Sequence, residues 1–245
     1  MKVALISDIH GSAIALDAVL ADIARQDVDQ IVCLGDVLAL GPQPRQVLDR
    51  LRALDCLCVM GNHDEEFAYP ALMPPPDNWP GKVIAWCAAL LSEDDRAYLA
   101  TFRPSFEIPL EGGKKMFCCH ATPRDNQAFL LATTPDDDVE AMLAGYWGYD
   151  VIAFGHTHTQ LLRLYRKSML VSVGSVGYPI ARPWSGRGED VRTYFWAEYA
   201  LVRSEGERIG VEFRRLPLDM AAVKAAVQSS DMPNLETWFS MWLET

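Results

Sequence analysis

Two hydrophobic periods alternate along the first third of this chain. Val3, Ala4, Leu5 and Ile6 form an unbroken apolar run, so residues 2–7 read as a strand buried on both faces. Over residues 12–25 the apolar positions are Ile14, Leu16, Val19, Leu20 and Ile23, a helical spacing with Ser12 as N-cap. A strand follows at 31–34, then a helix at 44–54 that carries Pro44 in its first turn, then a strand at 56–60. This strand-helix alternation predicts a largely parallel, buried sheet.

The pattern then changes. Residues 70–80 hold five prolines, which excludes helix interior and central strand and predicts a surface loop. Two helices are expected after it, at 82–91 and 92–102. Strands resume at 115–119 and 151–154, with a weak helix at 136–144 between them. From residue 160 the runs lie closer together, at 160–165, 169–173, 193–202 and 208–216, as in antiparallel meanders. Helices at 220–228 and 234–243 close the chain. In the last of them Trp238, Phe239 and Trp242 suit a packing or homo-oligomer face. Tyr194, Phe195, Trp196 and Tyr199 suit sheet packing better than a base-stacking platform.

Composition narrows the classes. The 245 residues are 50% apolar and 22% charged, as in an ordinary globular chain large enough to bury a core. The net charge of −11 argues against partners that need a basic footprint, namely long nucleic acid and membrane surfaces. No apolar run reaches the length of a membrane-spanning helix, and the N-terminus lacks a signal-peptide core. The six cysteines sit mostly in apolar strand-like runs and read as buried thiols of a cytoplasmic protein. Cys56 and Cys58 lack the spacer of a zinc knuckle.

The chemistry lies in the histidines. All five, His10, His63, His120, His156 and His158, fall just after apolar runs and beside Gly, Asp or Asn. The segments are Asp8-Ile9-His10-Gly11, Gly61-Asn62-His63-Asp64, Cys119-His120-Ala121 and Gly155-His156-Thr157-His158; Gly35-Asp36 is a fifth segment of the kind. Strand C-termini are where α/β sheets bind ligands, so these ends are expected on one rim. Imidazole, carboxylate and amide oxygen together suit divalent Mn, Fe, Zn or Ni. Asp8, His10, Asp36, Asn62, His120, His156 and His158 are too many for one ion. They suit two that share a carboxylate, for which Asp36 is the natural bridge.

The ordered series Asp8-x-His10, Gly35-Asp36, Gly61-Asn62-His63-Asp64, His120 and Gly155-His156-x-His158 resembles the calcineurin-like metallophosphoesterase superfamily. Gly41-Pro42-x-Pro44, His120-Ala121-Thr122-Pro123 and Val173-Gly174-Ser175-Val176-Gly177 are similar to its small single-domain prokaryotic phosphodiesterase branch. The resemblance implies an α/β fold, a four-layer α/β/β/α sandwich of two mixed sheets flanked by helices. It implies one domain over 1–245, with a helical cap-like insertion near 64–112 and C-terminal helices near 217–245. It assigns Asp8, His10, Asp36 and His158 to one ion, and Asp36, Asn62, His120 and His156 to the other, with Mn or Fe favoured. It makes a metal-bridging hydroxide the nucleophile and gives His63 the role of general acid, with Asp36 and Asn62 also in the catalytic set.

Protein phosphatases of the superfamily carry Gly-Asp-x-x-Asp-Arg-Gly, whereas this chain has Gly35-Asp36-Val37-Leu38-Ala39-Leu40-Gly41. That departure disfavours protein substrates and leaves the partner of His63 open, with Asp64 adjacent. Gly174 and Ser175 could offer backbone N–H groups to an anion, and Arg124, Arg182 and Arg187 could meet phosphate, although surface arginines are common. The expected substrate is a small phosphodiester or nucleotide, or alternatively a dinucleoside polyphosphate of the diadenosine tetraphosphate type. A metal-binding scaffold of the same fold without catalysis is the reading from another class.

Overall fold

The first strand, β1 (Lys2–Ile6), lies at the centre of a five-stranded sheet, which explains why it carries no polar side chain between its ends. A computed structural model of the chain describes residues 1–180 and 192–242. Arg182, Arg187 and the last residue of the helix expected at 234–243 lie outside the described residues. Beside β1 runs β2 (Gln30–Cys33), parallel to it, then β3 (Leu57–Cys58), parallel to β2. On the other flank β9 (Trp196–Glu205) and β10 (Arg208–Pro217) form an antiparallel hairpin, giving the order β10-β9-β1-β2-β3. The second sheet has the order β4-β5-β6-β8-β7. Its strands are β4 (Ser105–Pro109), β5 (Lys115–Cys119), β6 (Val151–Phe154), β7 (Gln160–Tyr165) and β8 (Ser168–Val173).

Three apolar layers hold the sheets and helices together. Val3, Leu5, Val32, Val151, Val171 and Val202 fill the space between the two sheets. On the outer face of the first sheet, Ala4, Ile6 and Cys33 pack against α1 (Ala13–Ile23) and α2 (Pro44–Leu54). α3 (Asn62–Ala68), α4 (Trp79–Ala89) and α5 (Glu93–Leu99) extend the same layer through Phe67, Ile84 and Leu99. Outside the second sheet, Phe117, Ile152 and Leu170 pack on α6 (Asp136–Met142). The arrangement is the four-layer α/β/β/α sandwich of two mixed sheets. A fourth cluster seats α7 (Met220–Ser229) and α8 (Leu235–Ser240), where Trp238 and Trp242 pack with Tyr178 and with Val83 of α4.

Several local expectations need correction. Ser12 makes no side-chain cap on α1. The proline-rich loop gives way to helix at Trp79, because Asn78 accepts a hydrogen bond from Gly81 N and Pro80 fits the first turn. Helix α3 and strand β4 were not expected at all. Pro104 and Pro109 bracket β4 and obscure its short Phe106/Ile108 alternation, yet proline is tolerated there because β4 is an edge strand. Among the described residues no helix is long and apolar enough to cross a membrane. All six cysteines are free thiols.

One buried ionic network ties α1 to the hairpin. Asp22, on α1, accepts hydrogen bonds from Tyr199 Oη at 2.6 Å, Arg214 Nη2 at 2.8 Å and Arg25 Nη2 at 2.9 Å. Burial opposes its ionisation, but these donors outweigh that and hold its carboxyl below the usual value of 3.8. Its contribution to stability is therefore complete above pH 3.8 and fades as pH falls through the lowered value. Asp22→Ala leaves the Tyr199 hydroxyl without its acceptor and Arg214 with Glu212 alone, and should cost about 2 kcal/mol at pH 7. The difference between variant and wild type in urea unfolding should shrink in acid below the usual carboxylate range; a constant difference would contradict the assignment.

Candidate metal centre

The strand order brings the expected residues to one place. Asp8 follows β1, Asp36 follows β2 and Asn62 follows β3, all at the same end of parallel strands in the first sheet. His120 follows β5, and His156 and His158 follow β6, at the matching end of parallel strands in the second. The site therefore sits on the rim shared by two face-to-face sheets. Backbone hydrogen bonds lace the loops together: Asp8 N donates to Gly35 O at 2.9 Å, His10 N to Asp36 O at 3.0 Å and Gly155 N to His120 O at 2.7 Å.

The backbone is strained where the donors sit. Asp8, His10, Asp36, His156 and His158 all have positive φ, between 47° and 63°. Side-chain-bearing residues avoid this left-handed region, and such strain concentrates at functional positions that the surrounding structure over-determines. Close packing supplies the constraint. A Cβ on Gly155 would lie 1.9 Å from Ser7 Oγ and 2.5 Å from Asp8 Oδ2. Ser175 Oγ, for its part, donates to Asp8 O at 2.7 Å and so braces the Asp8 loop.

Two donor groups result. Asp8, His10 and His158 present ligand atoms within 4.8 Å of one another, and so do Asp36, His120 and His156. Asp36 stands between them. Its Oδ2 is 3.9 Å from His10 Nε2 and 3.4 Å from His120 Nε2, while its Oδ1 accepts the His63 backbone N–H at 2.9 Å. Asn62 Oδ1 is 3.2 Å from His120 Nε2, which places it with the second group.

The outer hydrogen bonds fix which nitrogen faces inward. His10 Nδ1 is 3.0 Å from Leu38 O, His120 Nδ1 is 2.8 Å from Leu34 O and His158 Nδ1 is 2.7 Å from Tyr178 O. A carbonyl only accepts, so each Nδ1 carries a proton and Nε2 is the nitrogen each ring turns inward as a prospective ligand atom. His156 is reversed: its Nε2 donates to Gln127 O at 3.1 Å, leaving Nδ1 free, and Phe129 packs on the ring at 4.7 Å. The Nε2 atoms of His10 and His158 approach to 2.9 Å, and Asp8 Oδ1 is buried without a hydrogen-bond partner. Converging lone pairs and an orphaned carboxylate oxygen fit a divalent cation.

Without a cation, charge divides unevenly over the cluster. Burial, helped by His158, pushes His10 down to about 3, and burial with His120 pushes His156 down to about 4, so both imidazoles are neutral. Burial opposes charge on His120 as well, but Asp36 overrides it and raises the group to about 10. Asp8 is held at about 2 against burial by His158.

His63 belongs to neither group. It stands at the mouth, its ring 5.6 Å from that of His10, with Nδ1 2.9 Å from Glu66 Oε2. Asp64 faces the other way. Fully buried, it accepts from the backbone N–H groups of Asp36 at 2.7 Å, Val37 at 2.9 Å and Gly61 at 3.1 Å, and so pins the Gly35-Asp36 turn. Burial, then Asp36, push Asp64 up to about 7. Sequence reasoning missed Glu66 because it missed α3; on a helix, residues 63 and 66 are neighbours. Arg124 points its Nη2 at Ala144 O, in the loop after α6. Tyr194 and Trp196 stack on each other at 3.9 Å, and Phe195 stacks on Trp242 at 5.4 Å, which is packing within the sheet and tail.

Fold and donor set together define a class, an α/β/β/α sandwich with two adjoining groups of metal-ligating side chains on its strand-end rim. The chain belongs to the calcineurin-like phosphoesterase superfamily, whose domain matches residues 1–199. An uncharacterized protein of Methanocaldococcus jannaschii is 29% identical over 177 residues, 71% of this chain and 69% of that one. The crystal structure of a hypothetical protein from Pyrococcus horikoshii has a TM-score of 0.81 at 20% identity, covering 98% of this chain and 97% of the other. That of a metallophosphoesterase from Sphaerobacter thermophilus has a TM-score of 0.70 at 22% identity, covering 97% of each. These two likenesses establish a shared fold.

Proposed function

We propose that the protein hydrolyses a small phosphodiester or nucleotide-type substrate with two divalent ions, manganese or iron first among them. Asp8, His10, Asp36 and His158 would hold one; Asp36, Asn62, His120 and His156 would hold the other. The observation that carries this reading is the placement of Asp36 Oδ2 between His10 and His120. Ions there would supply Lewis-acid stabilisation of the phosphoryl oxygens and a lowered pKa for attacking water. The protein's own part is to fix the donors through strained, tightly packed loops and to set His63 at the entrance. With Nδ1 on Glu66, His63 has Nε2 left to give a proton to the departing oxygen. The net charge of −11 supports a small substrate over long nucleic acid. Free thiols support a reducing compartment such as the cytoplasm.

The test is metal analysis of the purified protein followed by hydrolysis of bis-p-nitrophenyl phosphate, with and without chelator. Two ions per chain and chelator-sensitive turnover are expected. His63→Ala should keep both ions and lose about 100-fold in kcat on a diester whose leaving group needs protonation, such as diphenyl phosphate. Protein that binds both ions yet hydrolyses no phosphodiester, nucleotide or dinucleoside polyphosphate would replace this reading with that of a metal-binding scaffold.

A further inference from the structure

A histidine that delivers a proton must have its ring held, and three nearby acids could do it. The loop after Asp36 runs Val37-Leu38-Ala39-Leu40 and offers only apolar side chains. Asp64 is spent on three backbone N–H groups and lies buried beneath the turn. Glu65 accepts from Asn126 Nδ2 at 3.0 Å and so ties α3 to the loop after His120. The remaining acid is Glu66, whose Oε2 is 2.9 Å from His63 Nδ1.

We propose that Glu66 is the positioning residue for His63, a carboxylate on the same helix that takes over an orienting role the Gly35–Gly41 loop lacks. The inference rests on the phosphoesterase reading above and deepens it. Residues three apart on a helix lie side by side, so the pair is built into α3 and needs no distant loop. A carboxylate on Nδ1 fixes the tautomer with Nε2 presented outward, and a charge-assisted bond stabilises the imidazolium. His63 is anchored twice: its backbone N–H is held by Asp36 Oδ1 and its ring by Glu66. The side chains are 21% and 19% exposed, so His63 can meet a leaving group and then recover a proton from solvent. In the step itself the P–O bond to the leaving oxygen breaks and that oxygen keeps the electron pair. His63 Nε2 passes its proton to the oxygen, while the Nδ1 proton stays in the bond to Glu66. Water supplies the new oxygen on phosphorus and releases its proton to solvent.

The experiment compares two diesters on Mn-loaded full-length protein. Bis-p-nitrophenyl phosphate has a leaving group that departs without protonation; diphenyl phosphate has one that needs the acid. Glu66→Gln should lower kcat on diphenyl phosphate about tenfold or more, and on the nitrophenyl diester by less than about threefold, with KM and metal content unchanged. Glu66→Ala should widen the same gap, since it removes orientation as well as charge. Equal slowing of both diesters, no slowing of either, or loss of bound metal would each overturn the role of Glu66 while leaving the phosphoesterase reading intact. Wild-type protein that binds both ions but hydrolyses neither diester, nor any nucleotide or dinucleoside polyphosphate, overturns that reading and this one with it.

Discussion

Asp36→Asn should weaken metal binding in both halves of the centre. Its Oδ2 lies 3.9 Å from His10 Nε2 and 3.4 Å from His120 Nε2, so one carboxylate serves both donor groups. The asparagine is the informative replacement. It tolerates the left-handed backbone that residue 36 adopts at φ 54°, and its amide oxygen can still accept the His63 N–H. What it removes is the negative charge that stands between the two donor groups. Metal content should fall from two ions per chain to one or none, and turnover should drop by ~10³-fold or more, the worth of several kcal/mol of charge stabilisation. Asp8→Asn removes a donor of the first group, and with its amide oxygen still able to accept the His156 N–H it should leave the second ion in place. Elemental analysis after desalting reads both outcomes, independently of activity. Two ions retained by the Asp36 variant would mean that the groups do not share this carboxylate.

Gly61→Ala should destabilise the fold strongly for so small a substitution. At φ −81° and ψ 169° this residue is extended, so its backbone conformation does not require glycine. Space requires it: a Cβ would lie 2.4 Å from the backbone N of Asp36 and 2.2 Å from its Oδ1. Neither atom can give way cheaply. The backbone N donates to buried Asp64, and the carboxylate is held in the centre. The methyl group must push the β2 loop and the start of α3 apart. Overpacking of this kind should cost about 3 kcal/mol and lower Tm by roughly 6–12 °C for a chain of this size. Thermal unfolding in chelator reads the packing term alone, because bound metal would otherwise stabilise the folded state by mass action. A Tm within about 1 °C of wild type would show that the loops yield.

The legible and illegible parts of the fold differ in how local their causes are. Strand β7 coincides with its expected limits and α2 does too, because alternation and helical period are written within a few residues. β3 is shorter than its apolar run: Val59 N still donates to Cys33 O at 2.8 Å, but beyond Cys58 the pairing is reduced to that bond and an isolated bridge from Val59 to Arg103. Helix α3 was hidden because it begins on Asn62, a residue with low helix propensity. Its start is fixed by Asp64 reaching back to Gly61 N, and that carboxylate is also held by the β2 loop. β4 was hidden because its pairing with β5 is antiparallel across a short turn, and prolines mask its ends.

The same division holds for the site. By itself the sequence determined which candidate donors would gather, because a parallel strand delivers whatever follows its C-terminal end to one rim. It therefore marked Asp8, His10, Asp36, Asn62, His120, His156 and His158 without any knowledge of the second sheet. Only the tertiary structure decided how they group. Asp8 meets His158 across 150 residues because β1 and β6 lie in separate sheets that face each other, and no local spacing encodes that apposition. It also decided that His156 is reversed relative to the other three imidazoles and that Asp64 faces inward. Each of these depends on which carbonyl or N–H lies within reach once the layers have packed.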